Sequence, residues 1–298
     1  MSLWIPITLA AAAVQTLRFM LQKRLKGAGL SVGGATFSRF LFGAPLAALA
    51  AAVTLAATGA AFPPLTVTFW AFALAGGVAQ VAATYMTVAL FGLRNFAVGV
   101  AFTKTETVQV AVFSALLLGE AVSLPGWAAI AVGLMGVVLL SRQKGAAWGG
   151  LMSRATLYGV AAGGLFGLSA IGYRGATLEL APAAFFTRAV VTLACVTFAQ
   201  SLGMAAWLAW REPGELGRVA AAWRRTIWVG VTGMLGSLAW FTAFSLQNAA
   251  YVRAVGQVEI VFTLLASALV FRERLTAREG AGITLVIGSV VALVLLLR

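Results

Sequence analysis

The chain has 298 residues, of which 61% are hydrophobic and only 10% are charged, so it carries too few polar side chains to coat a soluble globule. It has a formal net charge of +13, no histidine, no aspartate and a single cysteine, Cys195. These features exclude histidine-based catalytic triads, argue against metal sites and disulfides, and predict an all-α polytopic membrane protein with no metal and no cofactor.

Ten apolar runs follow one another along the chain, and each is long enough to cross about 30 Å of hydrocarbon as a helix. We number them as segments 1 to 10. They cover residues 3–21, 34–58, 67–93, 95–118 and 124–141, then 154–174, 182–209, 226–247, 249–271 and 277–297.

The loops between the segments predict how the chain is oriented. Segment 1 precedes the basic cluster Lys23, Arg24 and Lys26, whereas a secretory signal peptide has its positive charge first. Further basic residues fall in alternate loops, at Arg94, Arg142, Lys144, Arg154, Arg211, Arg218, Arg224, Arg225, Arg272, Arg274 and Arg278. By the positive-inside rule these loops are cytoplasmic and both termini are periplasmic. We therefore attribute the net charge to topology and anionic lipid, not to nucleic-acid binding.

The strongest candidate site residues are polar side chains in the middle of apolar segments. Lys104 and Glu106 lie in segment 4, and Gln257 and Glu259 occupy the matching places in segment 9. An ionisable group at the bilayer centre costs about 2.5–3.5 kcal/mol on insertion scales, so it normally faces a partner or a wet cavity. Residues two apart on a helix diverge by about 200°, so Lys104 and Glu106 do not both point at one spot. The sequence leaves open whether the two glutamates form structural ion pairs or bind substrate or a proton.

Other polar and aromatic residues are weaker candidates for a central cavity. They are Gln15 and Arg18 in segment 1, Gln80 and Tyr85 in segment 3, Tyr158 and Tyr173 in segment 6, and Trp240 in segment 8. Arg253 lies near a segment end, where its side chain can snorkel to the interface. For Arg39 and Arg188 we expect headgroup contact or a structural role.

The two halves of the chain repeat. Residues 95–142 align without a gap on residues 248–295, which places Asn95 on Asn248, Glu106 on Glu259 and Glu120 on Glu273 at a constant offset of 259 − 106 = 153. Each half holds five segments, an odd number, so the second half enters the membrane upside down. Inverted repeats are typical of secondary transporters. We predict two five-helix repeats, residues 1–147 and 148–298.

The end of each repeat carries a resemblance to a family. "LLLGEAVSLPGWAAIAVGLMGVVLL" and "LVFRERLTAREGAGITLVIGSVVALVL" are similar to the closing part of the EamA-type repeat of the drug/metabolite transporter superfamily, in which a helix ending in Glu is followed by a short loop and a glycine-spaced helix. Ten segments as five plus five is that family's layout. Glu120 and Glu273 match its helix-ending Glu, and with Asn95 and Asn248 we interpret them as structural.

Within the superfamily the chain most resembles the YddG-type bacterial amino-acid exporters. The resemblance implies a cavity surrounded by segments 1, 3, 4, 6, 8 and 9, and two halves that rock around it in the inner membrane. It implies export of amino acids with broad specificity, aromatic ones included. Glu106 or Glu259 would hold the ammonium group, and Lys104 the carboxylate. We expect a functional monomer whose partners are its small-molecule substrate and membrane lipid.

Alternatives remain. The same superfamily contains exporters of other small metabolites and drugs, and organophosphate and nucleotide-sugar exchangers that need paired cations. The neutral repeat mate of Lys104, Gln257, argues mildly against the exchangers. A membrane scaffold needs no charges at mid-depth, and an enzyme would need a nucleophile and a base within reach, neither of which is apparent.

Overall fold

The computed structural model describes residues 2–27, 29–90, 103–141, 154–271 and 277–296, and the regular structure within these ranges is helical. The first half contains α1 (Trp4–Gly27), α2 (Val32–Thr58), α3 (Val67–Leu90), a 3₁₀ turn (Thr103–Thr105), α4 (Glu106–Leu118) and α5 (Leu124–Ser141). The second half contains α6 (Arg154–Glu179), α7 (Phe185–Arg211), α8 (Glu215–Ala221), α9 (Trp223–Leu246), α10 (Ala249–Gly256), α11 (Glu259–Phe271) and α12 (Ala277–Leu296).

Several of these helices suit a lipid environment. In the described part of the chain, six apolar helical stretches are long enough to cross a membrane: Trp4–Leu25, Val32–Thr58, Val67–Leu90, Phe185–Arg211, Trp223–Leu246 and Ala249–Ala266. Large apolar side chains also face outward, with Val67, Leu116 and Leu269 exposed by 87%, 76% and 80%. The chain is therefore a multi-pass membrane protein in character, while the count of ten segments stays a prediction.

Segment 9 is not one continuous helix, contrary to the prediction from hydropathy. The backbone N–H groups of Gln257 and Val258 donate to the carbonyls three residues earlier, of Ala254 and Val255, at 3.2 Å each. This tighter turn ends α10 and lets α11 begin at Glu259. Hydropathy does not reveal the break, because Gln257 is the one polar residue in the turn and its neighbours Gly256 and Val258 fit an apolar run.

The charged loop after segment 7 also differs from the prediction, since it forms the short helix α8. Glu215, at its first turn, is fully buried and accepts a hydrogen bond from the backbone N–H of Ser31 at 2.7 Å. The Ser31 hydroxyl donates to Glu212, and Arg218 pairs with Glu215. The carboxylates lie at the positively polarised N-terminus of α2, so α8 and the start of α2 are tied together.

The helices pack in pairs that join the two halves. α1 packs against α9, α3 against α6, α2 against α7 and α9, and α5 against α12. Glycines permit the closest approaches, since a Cβ on Gly76 of α3 would lie 3.2 Å from the Cα of Gly172 of α6. A Cβ on Gly163 would lie 2.8 Å from the carbonyl oxygen of Thr103, so α6 also packs on the 3₁₀ turn. This packing brings α1, α4, α6, α9 and α10 around one centre.

Candidate functional site

Two buried carboxylates lie at the first residues of helices that begin at this centre. Glu106 is the first residue of α4, directly after the 3₁₀ turn, and Glu259 is the first residue of α11, directly after the break. Their exposures are 4% and 0%. A helix N-terminus carries partial positive charge, which stabilises a carboxylate placed there. Arg253 lies in the last turn of α10, where the helix dipole favours a cation.

Glu106 and Arg253 form a buried ion pair between the halves. The Arg253 Nε lies 2.8 Å from the Glu106 Oε1, and the side chains are 7% and 5% exposed. The guanidinium carbon also lies 4.4 Å from the ring centroid of Trp240 and 5.4 Å from that of Phe244. The cation is thus held by a carboxylate and by two aromatic faces.

Glu259 belongs to a hydrogen-bonded chain on the other side of Trp240. The Gln15 Nε2 donates to the Glu259 Oε2 at 2.7 Å, and the Trp240 Nε1–H donates to the Gln15 Oε1 at 3.0 Å. Trp240 therefore touches both carboxylate systems, one through its ring and one through its N–H. Four predicted candidates, Gln15, Glu106, Trp240 and Glu259, meet in one cluster with Arg253, which we call the central cluster.

Two more arginines border the central cluster. Arg18 of α1 is 2% exposed and donates from Nη1 to the Gln22 Oε1 at 2.6 Å. Arg39 of α2 is 4% exposed and donates to the hydroxyls of Thr84 and Ser237 at 3.1 and 2.9 Å. Their aliphatic stems meet at Gly233 of α9, where a Cβ would lie 2.8 Å from the Arg39 Cγ and 3.5 Å from the Arg18 Cδ.

Gln80 lies in a separate polar network between α3, α6 and α7. The Tyr173 hydroxyl donates to the Gln80 Oε1 at 2.8 Å, and the Gln200 Nε2 donates to the same oxygen at 3.0 Å. Next to this network, a largely apolar cavity of about 500 Å³ lies between α3 and α7, and Gln200 contributes to its lining. Tyr85 and Trp207 line it with their rings edge to face, 5.9 Å between centroids.

The remaining candidates lie elsewhere. Gln257 is 1% exposed and points at Gly133 of α5, and within the described part of the chain neither of its amide atoms has a hydrogen-bond partner. Tyr158 is 38% exposed. The side chain of Lys104 and the whole of Asn95 and Glu273 lie outside the described residues.

The residues interpreted as structural join four helix ends on one side. The Glu120 Oε1 accepts hydrogen bonds from the Nε and Nη2 of Arg174 at 3.1 and 2.7 Å, while the Arg174 Nη1 donates to the carbonyl of Phe244 at 2.6 Å. The Asn248 Nδ2 donates to the Glu120 carbonyl at 3.3 Å, and its Oδ1 caps α10 by accepting from the N–H of Ala250. We call this group the Glu120 clamp.

The structure gives Arg253 a different place from the one expected, and it gives Arg39 one of the two roles expected for it, the structural one. Arg253 does not snorkel, because the early end of α10 leaves it at the centre of the bundle beside Glu106. Arg39 does not reach a headgroup, because Thr84 and Ser237 hold it inside. The one sequence signal for Arg39 is its position between two phenylalanines in "FSRF". Gln200 carries no such signal.

The chemistry available at the centre is recognition by charge and hydrogen bonds. Within the described ranges, no group of three or more His, Cys, Asp or Glu side chains is placed to hold a metal ion. Buried groups of both signs lie against aromatic rings, which suits a small solute that carries charge and an apolar part.

Comparisons with known proteins agree with this fold. Residues 153–295, most of the second half, match the EamA-like transporter family. Among solved structures, a chain described only as the crystal structure of a protein is 15% identical, with a TM-score of 0.72 over 99% of this chain and 96% of that one. At that identity the likeness shows the fold alone. Among curated proteins, no sequence matches.

Proposed function

We propose that this protein is a secondary transporter of the drug/metabolite transporter superfamily, most like the YddG type, that exports amino acids, aromatic ones included, across the bacterial inner membrane. The match of residues 153–295 to the EamA-like transporter family supports the transporter class. The observation that carries the proposal is the central cluster, since its charges are buried between the halves, at the start of α4 and at the break between α10 and α11. Broken helices of this kind supply substrate sites in transporters.

The packing supports an inverted repeat of residues 1–147 and 148–298. The offset of 153 places α1 on α6 and α3 on α9. The pair of α1 with α9 therefore corresponds to the pair of α6 with α3, and the helices of both pairs are in contact. The same offset places α2 on α7 and α5 on α12, and in each of these pairs the two equivalent helices contact each other. Glu106 and Glu259 start their helices at equivalent positions. A pseudo-twofold relation between the halves accounts for all four facts.

The side chains of the central cluster suit a zwitterion with an aromatic side chain. An ammonium group needs a carboxylate, which Glu106 and Glu259 supply, and the ion pair of Glu106 with Arg253 shows that Glu106 accepts a cationic partner at this position. Trp240 and Phe244 lie stacked with ring centroids 6.0 Å apart and form an apolar wall. Such a wall tolerates varied side chains, so we expect broad selectivity.

Two interfaces related by the repeat are packed with unequal tightness, and alternating access would exchange the tight packing of one for the loose packing of the other. At α9 and α2 a Cβ on Gly230 would overlap Phe42, whereas at the repeat-related α3 and α7 a Cβ on Gly77 would have its nearest contact 3.5 Å away, at the Val196 Cγ1. The cavity adjoins the looser interface. In the opposite state we expect α3 and α7 to close and α2 and α9 to part. The protein would do this as a monomer, with lipid and its substrate as partners and no nucleic acid.

A second candidate is an exchanger of organophosphates or nucleotide sugars. It is favoured by the three buried arginines Arg18, Arg39 and Arg253. It is the weaker candidate because Arg253 is already paired with Glu106, which leaves less positive charge for a dianionic phosphate.

Reconstitution of the purified protein into liposomes tests the proposal. We expect labelled phenylalanine and leucine to cross, and Glu106→Gln and Glu259→Gln each to reduce that flux at least tenfold. Glu179→Gln is the matched control, because among the described residues Glu179 accepts a hydrogen bond from the exposed Thr66 and takes no part in the central cluster. Flux of glucose 6-phosphate without any amino-acid flux would replace the lead proposal by the second. A pH gradient that leaves the flux unchanged would indicate facilitated diffusion.

A further inference from the structure

We infer that Arg18 is the anion subsite of the central cluster and that it binds the carboxylate of the transported solute. The inference rests on the proposed function and deepens it. Lys104 is the residue that the sequence offers for this task, whereas the geometry of the described residues points to Arg18.

Arg18 has an unused donor. Its side chain is 2% exposed, its Nη1 is bonded to Gln22, and its Nη2 has no hydrogen-bond partner in the part of the chain that the structure describes. A buried donor left without an acceptor costs about 1–3 kcal/mol, and more when it is charged. An acceptor supplied by a bound solute would remove that cost.

The charge around Arg18 also calls for an anion. Among the described residues of this region, Arg18, Arg39 and Arg253 carry three positive charges, while Glu106 and Glu259 carry two negative ones. The Arg39 guanidinium donates its hydrogen bonds to two neutral hydroxyls, which do not compensate its positive charge. Buried charges are normally paired. A solute carboxylate bound at Arg18 would add a negative charge next to these arginines and would accept a charge-assisted hydrogen bond from Nη2.

Arg18 lies near the carboxylate that would take the ammonium group. Gln15, which bonds Glu259, and Arg18 are three residues apart on α1 and share one helical face. Glu259 is also one of the charged groups that interact electrostatically with Arg18. This arrangement suits a solute whose ammonium group contacts Glu259 and whose carboxylate contacts Arg18.

The test compares solutes that differ only in the carboxylate. Flux and ligand-induced thermal stabilisation are measured with phenylalanine and with phenylalaninamide, which keeps the ammonium group and the ring. We expect the wild type to prefer phenylalanine at least tenfold, and Arg18→Gln to lose phenylalanine flux at least tenfold while its amide flux is retained, so that the preference disappears. Arg24→Gln, an exposed arginine on the same helix, is expected to behave as the wild type.

The outcomes separate this inference from the proposed function. An Arg18→Gln protein that still prefers phenylalanine over the amide overturns the subsite and leaves the transporter standing. A wild type that moves neither compound overturns the proposed function. Stabilisation of the wild type by chloride or inorganic phosphate, equal to that by phenylalanine, overturns the carboxylate assignment. If Arg18→Gln does not fold, Arg18→Lys is tested in the same way, because it keeps the charge and loses the guanidinium fork. We expect the preference of this variant for phenylalanine over the amide to fall severalfold. An unchanged preference overturns the subsite.

Discussion

The guanidinium of Arg253 has three partners in two other helices: Glu106 in α4, which carries the opposite charge, and the rings of Trp240 and Phe244 in α9. Removing one charge of a buried pair leaves the other charge uncompensated. We expect Glu106→Gln to lower the free energy of unfolding by about 3–5 kcal/mol, measured by denaturation in detergent. The double variant Glu106→Gln with Arg253→Gln should recover much of the loss.

The control for this cycle is Arg224→Gln, since Arg224 is exposed and pairs with no carboxylate among the described residues. Its effect should stay below about 0.5 kcal/mol. If the losses in free energy of unfolding caused by Glu106→Gln and by Arg253→Gln add in the double variant, the two side chains are not coupled. The ion pair then does not stabilise the protein.

Trp240 has two separable functions, a ring that faces Arg253 and an N–H that bonds Gln15. Trp240→Phe keeps the first and removes the second, which leaves the Gln15 oxygen buried without its donor. We expect a loss of stability of about 1–3 kcal/mol and a raised KM for phenylalanine, measured by unfolding and by flux. Trp228→Phe, at a position 60% exposed, should change neither quantity.

At this scale the sequence predicts which side chains are out of place in a membrane but not which ones they meet. Gln15, Glu106 and Glu259 stand out because they interrupt apolar runs, and the structure brings them together with Trp240. The sequence does not predict the depth of Arg253, because that depth depends on where α10 ends. Two backbone hydrogen bonds across the turn at Gln257 and Val258 set that end, and hydropathy does not register them.

Among the helices, the glycines of the repeat give a matched comparison. Gly230→Ala would push a methyl group into Phe42 and should destabilise the protein by about 1–3 kcal/mol. Gly77→Ala, at the repeat-related position, meets only an ordinary contact and should leave stability unchanged or higher. Under the proposed mechanism Gly77→Ala slows transport severalfold, because α3 and α7 must close against the added methyl group.

Gly288→Ala is the control for both variants, since a Cβ there would meet nothing within 4 Å. Thermal unfolding and flux separate the two effects. A Gly77→Ala protein with wild-type turnover would show that α3 and α7 do not close during transport.

The boundaries of most helices follow from the sequence to within a few residues. Segment 1 is predicted to end at residue 21, whereas α1 continues to Gly27. Two other differences involve contacts between residues distant in sequence. Segment 6 was predicted to end at residue 174, but α6 continues to Glu179 because Arg174 stays helical and bonds the Glu120 clamp. The helix α8 was not predicted, because Glu215 is charged and yet fully buried against the start of α2. In both places a contact distant in sequence overrides the local composition.

For the whole molecule, the alternation of basic loops makes a topological prediction. A reporter active only in the cytoplasm should give strong signal when fused after Lys144 and none when fused after Arg298, because both termini are expected to be periplasmic. A fusion after Thr58, in a loop without basic residues, is the second negative control. Strong signal from the C-terminal fusion would contradict the orientation.

The overall fold was the most predictable level. Composition and the offset of 153 indicated an all-α membrane protein built from two related halves, and a solved structure with a TM-score of 0.72 over 99% of the chain agrees with the helical fold. The difference between the interfaces at Gly230 and Gly77 was not predictable. A sequence repeat shows what the two halves share. The conformational state of a transporter depends instead on how the packing of equivalent interfaces differs between the halves.

The bond between α8 and α2 has a practical consequence. Glu215 joins α8 to the start of α2 through Ser31, and α2 packs on both α7 and α9. Helix α8 is only seven residues long, and Gly217 on it has nothing within 4 Å of a Cβ position. A fluorophore attached at Gly217→Cys, with Cys195→Ser to remove the native thiol, would therefore report movement of α2 during a transport cycle without touching the central cluster.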